Sequence, residues 1–453
     1  MFSSLKPIDI CRFHIAWQRP RSPRPAFVVQ HGSPIIIMRR HLREIPLRHV
    51  LLSLLVLALA LGAGACANAI QEPAAGGGDP PATDADLFRT GVQKFGSGVA
   101  WSDSLYDLVA SYDLFSYQVH NLYSDPRSEG LIDELRSRND DIRVGGYFQA
   151  HGVQDWQLEA MAAESGNFAS DWAAYGVQHL ARTTKGDTAR SFNGSYMIDV
   201  TKPGVVEGMV EVLRRWRASS DNNRAGTFVM VDHCSVPHLS WLTGEYALQT
   251  DGDLDLDGDG VGHLDDPDEQ LLLRDAYVHL VDELHRVLPD VKVVVNGDLV
   301  RIDREFRNRV DGMYIEGGFR WGWGSRYFET ALIDPGERNL ASMLADMRDG
   351  GFSLYEWKED YRVGWAVSMF FDNLYPLMAP GHESLPFVLQ EHPGEWDMGR
   401  PLGPASVEDG ILRREFERGT ASLEPIQGAS PGAFRFRLSD SDRGVLVTFN
   451  EGS

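Results

Sequence analysis

The sequence predicts an α/β fold: a (β/α)8 barrel of the TIM type with a small C-terminal β appendage. Three observations predict it. Short apolar segments rich in β-branched and aromatic residues alternate with segments of helical period from about residue 87 onward. Eight such strand segments occur, the number that closes a barrel. The first unit carries no Gly-rich dinucleotide fingerprint, which counts against the main competitor, an open doubly wound sheet.

The strands are expected at Thr90–Phe95, Leu114–Val119, Ile142–Phe148, Tyr196–Val200, Thr227–Asp232, Lys292–Asn296, Gly312–Glu316 and Phe352–Glu356. Helices are expected between them. Pro203–Trp216 carries Val205, Val206, Met209, Val210 and Leu213 at helical spacing. Pro267–Leu288 has Asp266 at its N-cap, Pro267 at N1 and Glu269 at N3, a well-marked start. Further helices fit at 130–139, 301–309, 339–348 and 363–375. Strands alternating with helices argue for a parallel sheet covered on its faces. After Met378 the pattern changes. Ile411–Glu417, Phe434–Leu438 and Val445–Phe449 read as short strands of the appendage, and the chain stops directly after the last of them.

Upstream of the barrel the chain reads as a targeting segment, residues 1–65. Val50–Leu61 is almost wholly Leu, Val and Ala, too short for the roughly 20 residues of a bilayer span. Arg39, Arg40, Arg43 and Arg48 precede it and small residues follow, the pattern of an export signal. Ala63-Gly64-Ala65-Cys66 resembles a bacterial lipobox, with Ala63 where Leu is usual. The expectation is a lipidated Cys66 on an envelope protein, with ordinary cleavage and secretion as the alternative. Met38 would give a signal of ordinary length. Residues 66–86, rich in Pro, Gly, Ala and Asp, read as a flexible tether. Residues 87–395 form the expected barrel and 396–453 the β-rich C-terminal region.

After residue 65 the chain holds 34 Lys/Arg against 63 Asp/Glu, a formal charge of −29. That balance excludes nucleic-acid binding through a phosphate-neutralising surface and favours cations or cationic polymers. Cys234 alone follows Cys66, so stability is expected from a large core rather than a disulfide.

Chemistry in such a barrel belongs at the C-terminal ends of the strands. Two acids terminate apolar runs there: Asp232 after Phe-Val-Met-Val, and Glu316 after Gly-Met-Tyr-Ile. A buried acid must be hydrogen-bonded, paired or poised for proton transfer. Two carboxylates on one cleft are the equipment of glycoside hydrolysis, whereas two salt-bridged acids would be the structural alternative. Their separation, about 5 Å or about 6.5–9.5 Å, would distinguish retention from inversion. Gln149, His151, Asn296 and Glu356 close other strands and could bind sugar hydroxyls. Trp321 and Trp323 follow Glu316 among glycines, and Trp357 follows the last strand; flat aromatic faces suit stacking on sugar rings.

A second site is expected at Asp255–Asp266. Asp255, Asp257 and Asp259 stand at positions 1, 3 and 5 of a loop with Gly260 at 6 and Asp266 at 12. This is EF-hand loop spacing, with Asp at 12 as in dockerin-like calcium repeats, and the Val261 carbonyl could serve at position 7. A structural calcium is expected there and no organic cofactor. No His–carboxylate spacing suggests a catalytic metal.

The pieces Phe-Val-Met-Val-Asp232, Val-Val-Val-Asn296-Gly, Val-Asp-Gly-Met-Tyr-Ile-Glu316, Asp397-Met-Gly-Arg-Pro-Leu-Gly403 and Arg413-Arg-Glu-Phe-Glu-Arg-Gly419 are similar in kind and order to barrel-fold glycoside hydrolases of the polygalactosaminidase type. The resemblance spans roughly residues 88–425. It implies Asp232 as nucleophile or base, Glu316 as general acid and a polysaccharide substrate. Glu424, where the family tends to have Asn before the proline, and the calcium-like insert depart from it. The alternatives are a non-catalytic carbohydrate-binding lipoprotein and a calcium-dependent adhesion protein. No obligate protein partner is evident, and contact with a membrane is expected through the lipid anchor only.

Overall fold

The computed structural model describes residues 91–94, 101–191, 194–235, 248–315, 340–357, 361–378, 396, 398–426 and 434–451. Eight parallel strands close into a barrel. In chain order they are β1 Gly91–Lys94, β2 Leu114–Gln118, β3 Arg143–Gln149, β4 Phe228–Asp232, β5 Lys292–Asn296, β6 Gly312–Ile315, β7 Ser353–Trp357 and β8 Leu374–Met378. Each strand pairs with the next, and β1 closes the ring on β8 through Gly91↔Leu377 and Val92↔Met378.

The strands are buried on both faces, which is why they read as continuous apolar runs. Their alternation still sorts the side chains. Leu114, Tyr147, Phe228, Met230, Val294, Tyr314, Leu354 and Leu377 point inward and fill the barrel as one apolar cluster. Val144, Val229, Val231, Val293, Val295 and Tyr355 point outward into the larger core beneath the helices. Helix Val205–Arg217 covers that core with Val205, Val206, Met209, Val210 and Leu213. Helix Pro267–Val287 covers it with Leu273, Tyr277, Leu280, Val281 and Leu284, and the Asp266 side chain caps it by accepting from the amides of Asp268 and Glu269.

The count of eight is right, but one strand is reassigned. Tyr196–Val200 is not in the barrel. Tyr196–Met197 pairs antiparallel with Gly152–Val153 in a small sheet on the excursion between β3 and β4. Asp199 there accepts from the Thr201 hydroxyl at 2.5 Å and pairs with Lys202 at 3.0 Å, so it works as a local brace. The eighth strand is Leu374–Met378, in and beyond the C-terminal end of the helix expected over 363–375, which actually spans Tyr361–Ser368. Pro376 argues against a strand because it lacks an N–H. The barrel nevertheless accepts it between Tyr355 and the edge of β1. The segment 301–309 also divides. Asp303 interrupts it and its side chain caps the second piece, Arg304–Arg307.

The appendage is a five-stranded antiparallel sheet: β9 Ser406–Glu408, β10 Ile411–Phe416, β11 Gly419–Pro425, β12 Phe434–Asp440 and β13 Gly444–Glu451. It is apolar on one face only, as the alternation of buried and exposed residues along β12 records. That face meets the barrel. Trp396 stacks on Phe436 at 5.3 Å and meets Trp365 of the barrel helix edge-on at 6.2 Å. Arg414, buried on β10, donates to the Met369 carbonyl at 3.0 Å and pairs with Asp372. Among the described residues no helix is long and apolar enough to cross a membrane.

Candidate active site

Asp232 is the last residue of β4 and occupies an inward position, two residues beyond Met230. It is 1 % exposed. Three side chains converge on its carboxylate. Asn296, at the end of the neighbouring β5, donates Nδ2–H to Oδ1 at 2.7 Å. The Tyr147 hydroxyl, from β3 on the other side, donates to Oδ2. His233 brings Nε2 within 3.0 Å of Oδ2.

His233 reaches back to the preceding residue because its φ is +61°, in the left-handed region. A non-glycine residue there is uncommon, and such backbone strain clusters at functional sites. The turn is locked from the next connection. Cys234 donates its amide to the Asn296 carbonyl at 3.0 Å. Gly297, at φ +140°, packs so closely that a Cβ would lie 2.3 Å from the Cys234 carbonyl oxygen. Only glycine fits that crossing. His151, buried just after β3, places its ring 4.0 Å from the His233 ring, edge-on at 60°.

Burial by itself would raise the Asp232 pKa. The His233 imidazole, by charge and by hydrogen bond, and the Tyr147 hydroxyl outweigh it and hold the carboxyl down at about 2. Asp232 is therefore a stable anion at neutral pH, suited to act as nucleophile or base and not as an acid. The linkage has a definite sign. The folded pKa lies below the ordinary 3.8, so the stability Asp232 contributes is present above that value and is lost as pH falls through about 2. Acid unfolding of the wild type and of Asp232→Asn should converge as pH falls through that window. A stability gap that persists unchanged to the acid end would contradict the arrangement.

Past the C-terminal ends of β2 and β3 lies a cleft of about 510 Å³ lined by Gln118, His120, Asp125, Arg127, Gln154 and Trp156. Trp156 is 37 % exposed. Its ring meets His120 at 4.4 Å, and its indole N–H donates to Gln154. Burial pushes His120 down to about 4, against a smaller opposing pull from Asp125, so the imidazole beside the indole is neutral at pH 7. A smaller void, about 20 Å³, shares Gln118, His120 and Trp156 with the cleft and is bordered by Tyr147 and Gln149.

The expected site residues fall out as follows. Asp232 and Asn296 are joined directly. His151 reaches the centre through His233. Gln149 is in register with Asp232 and accepts from Gln154 at 2.8 Å. Glu356 is 2 % exposed at the next inward position after Leu354 on β7, three strands from β4. Trp357 ends β7. Glu316, Trp321, Trp323 and Cys66 lie outside the described residues. Asp255, Asp257, Asp259, Val261 and Asp266 lie on the connection between β4 and β5, away from the Asp232 cluster in sequence.

Tyr147 and His233 were not anticipated. Tyr147 was legible as the inward position two residues before Gln149. His233 carried no signal beyond adjacency to Asp232. His151 and His233, distant in sequence, meet at Asp232 because β3 and β4 are neighbours in the barrel.

No protein-family model matches the chain, and a search of curated proteins finds no match. Among solved structures, the chain is similar to the glycoside hydrolase domain of PelA from Pseudomonas aeruginosa. The identity is 11 %, the TM-score is 0.40, and 65 % of this chain and 96 % of that one are covered. It is similar as well to cyclic α-maltosyl-(1→6)-maltose hydrolase from Arthrobacter globiformis, with identity 11 %, TM-score 0.38 and coverage of 82 % and 100 %. A third is the GH36 α-galactosidase AgaA from Geobacillus stearothermophilus, with identity 8 %, TM-score 0.42 and coverage of 79 % and 51 %. At these scores the likeness adds nothing to the chemistry of the site itself.

Proposed function

We propose that this protein is a glycoside hydrolase acting on a polysaccharide, with Asp232 as nucleophile or base. The observation that carries the reading is the Asp232 cluster: a buried carboxylate at the C-terminal mouth of a closed barrel, hydrogen-bonded by Asn296 and kept ionised by His233 and Tyr147. Barrel enzymes hold their reacting groups at this mouth. A carboxylate that is anionic at all working pH values needs a partner acid to protonate the leaving oxygen. Glu316 is our candidate. It follows the apolar run Gly312–Ile315 directly in the sequence, as Asp232 ends the run Phe228–Val231.

The half-exposed Trp156, with Gln118, Gln154 and His120 around the cleft, suits a sugar ring, whose apolar face stacks and whose hydroxyls need donors and acceptors. The formal charge of −29 after residue 65 favours a cationic amino-sugar polymer. The same reading assigns export to the leader and a lipid anchor to Cys66, and relates the chain to the polygalactosaminidase type of hydrolase.

A second reading has one observation in its favour. Three donors and 1 % exposure would also suit a carboxylate that only braces a carbohydrate-binding mouth. The Glu316→Gln variant separates the two. As general acid, Glu316 is expected to be worth about 10²-fold or more on natural glycosides and little on glycosides with an activated aryl leaving group, which need no proton. Equal loss on both substrate types, or no loss on either, would remove Glu316 from the role.

A further inference from the structure

The connection from β4 to β5 contains the most concentrated charge in the described chain. Residues 251–269 hold nine Asp and Glu and no Lys or Arg. Concentrated acid alone is a common surface feature. Here the loop is wound around its own carboxylates. Asp255 Oδ1 accepts from the Gly258 amide at 2.7 Å and its Oδ2 from the Gly260 amide at 3.2 Å. Asp257 accepts from the Asp259 amide at 3.0 Å, and Asp259 from the Val261 amide at 2.6 Å. These bonds shape the turn but do not discharge it.

The independent observation is Glu269. It stands at the third position of helix Pro267–Val287 and is 2 % exposed. Its Oε1 accepts from the amides of Leu256 and Asp257, the latter at 2.9 Å. Its Oε2 is buried with no hydrogen-bond partner among the described residues. Oxygens of Asp255, Asp257 and Glu269 lie within 4.8 Å of one another, and Asp257 forms a second such group with Asp259 and Asp266. A buried, unpartnered carboxylate oxygen beside two further carboxylates is costly, because like charges repel and nothing solvates the inner one. One hard cation at that point would satisfy all three. Glu269 lies outside the twelve-residue loop that the spacing of the acids defines, three residues beyond Asp266.

We propose that this connection binds one divalent cation of the calcium type, held by Asp255, Asp257 and Glu269, with Glu269 closing the site from the first turn of the helix. The donors are all oxygens, on a loop with glycines at 258, 260 and 262, which suits the larger, flexible shell of calcium better than the rigid octahedron of magnesium. Asp266 serves mainly as the helix cap, accepting from the Asp268 amide at 2.8 Å. The ion would tie the helix to the two-residue strand Leu254–Asp255, and so fix the connection that leaves the barrel at Asp232 and returns at β5.

The test is calorimetric titration of the chelator-stripped, dialysed chain with calcium chloride and, separately, magnesium chloride, followed by thermal unfolding with and without each ion. The expected result is saturable binding of one calcium per chain, a higher Tm with calcium, and weaker binding of magnesium. Glu269→Gln and Asp255→Asn should each weaken calcium binding more than about tenfold, and Asp265→Asn should leave it unchanged. Asp255 is partly exposed and outside the helix, so its variant carries the test if Glu269→Gln does not fold. No saturable calcium binding by the wild type, or wild-type affinity in a folded Glu269→Gln or Asp255→Asn variant, would overturn the proposal.

Discussion

Replacing Asp232 by Asn is expected to reduce glycan hydrolysis on the order of 10⁴-fold or more while the barrel stays folded. The two side chains are nearly isosteric, and the inward position on β4 is unchanged. What is lost is the charge. The Asn296 amide and the Tyr147 hydroxyl both donate to Asp232, and an amide side chain offers them one acceptor atom instead of two. That mismatch costs about 1–3 kcal/mol of stability, a fraction of the 5–15 kcal/mol typical of domains. A large kinetic effect with a small stability effect marks a group whose charge acts on the substrate. A brace would show the reverse: a lowered Tm and a modest change in rate. Circular dichroism and thermal unfolding of the same preparations used for kinetics would separate the two.

The largest expected effect on stability comes from the opposite end of the barrel. Gly312 opens β6 where it runs against the start of β7. A Cβ there would lie 1.6 Å from the Phe352 carbonyl oxygen, and one on Gly351 would lie 1.8 Å from the Asp311 carbonyl oxygen. These contacts are with backbone, so no rotamer change relieves them. Moving Phe352 is costly in turn. Its ring meets Phe228 edge-on at 5.4 Å and Tyr375 at 5.5 Å inside the barrel, and Arg143 lies over it at 5.0 Å. Gly312→Ala should therefore cost more than about 3 kcal/mol and lower Tm clearly, or abolish soluble expression. Gly403→Ala is the control, because nothing lies within 4 Å of its Cβ position. Equal Tm values for the two variants would contradict the tight crossing.

The barrel was legible because its strands are buried on both faces and bounded by turns, so Phe228–Asp232, Lys292–Asn296 and Gly312–Ile315 stand out as apolar runs. The errors have physical causes. Tyr196–Val200 has strand composition but pairs outside the barrel, and pairing partners are not written in a local pattern. Leu374–Met378 carries a proline that local propensity rejects, yet the ring of strands imposes the extended form. Asp232 and Asn296 were legible by strand-end position, and their hydrogen bond follows from the register of adjacent strands. Tyr147 is legible only as an inward strand position and His233 not at all, because one reaches Asp232 from the neighbouring strand and the other through a positive φ that no sequence pattern announces. Glu269 is legible in the sequence only as a helix-start residue, since its burial against Asp255 and Asp257 depends on how the helix folds back over the loop.

The most direct measurement is the release of new reducing ends from a panel of neutral, acidic and amino-sugar polysaccharides by the wild-type chain and by Asp232→Asn, assayed side by side. Hydrolysis of at least one polymer by the wild type, lost in the variant while its fold is retained, is the expected result. Release from no polymer, or release by Asp232→Asn at a rate close to that of the wild type, would contradict the assignment of Asp232 as the group that carries the reaction.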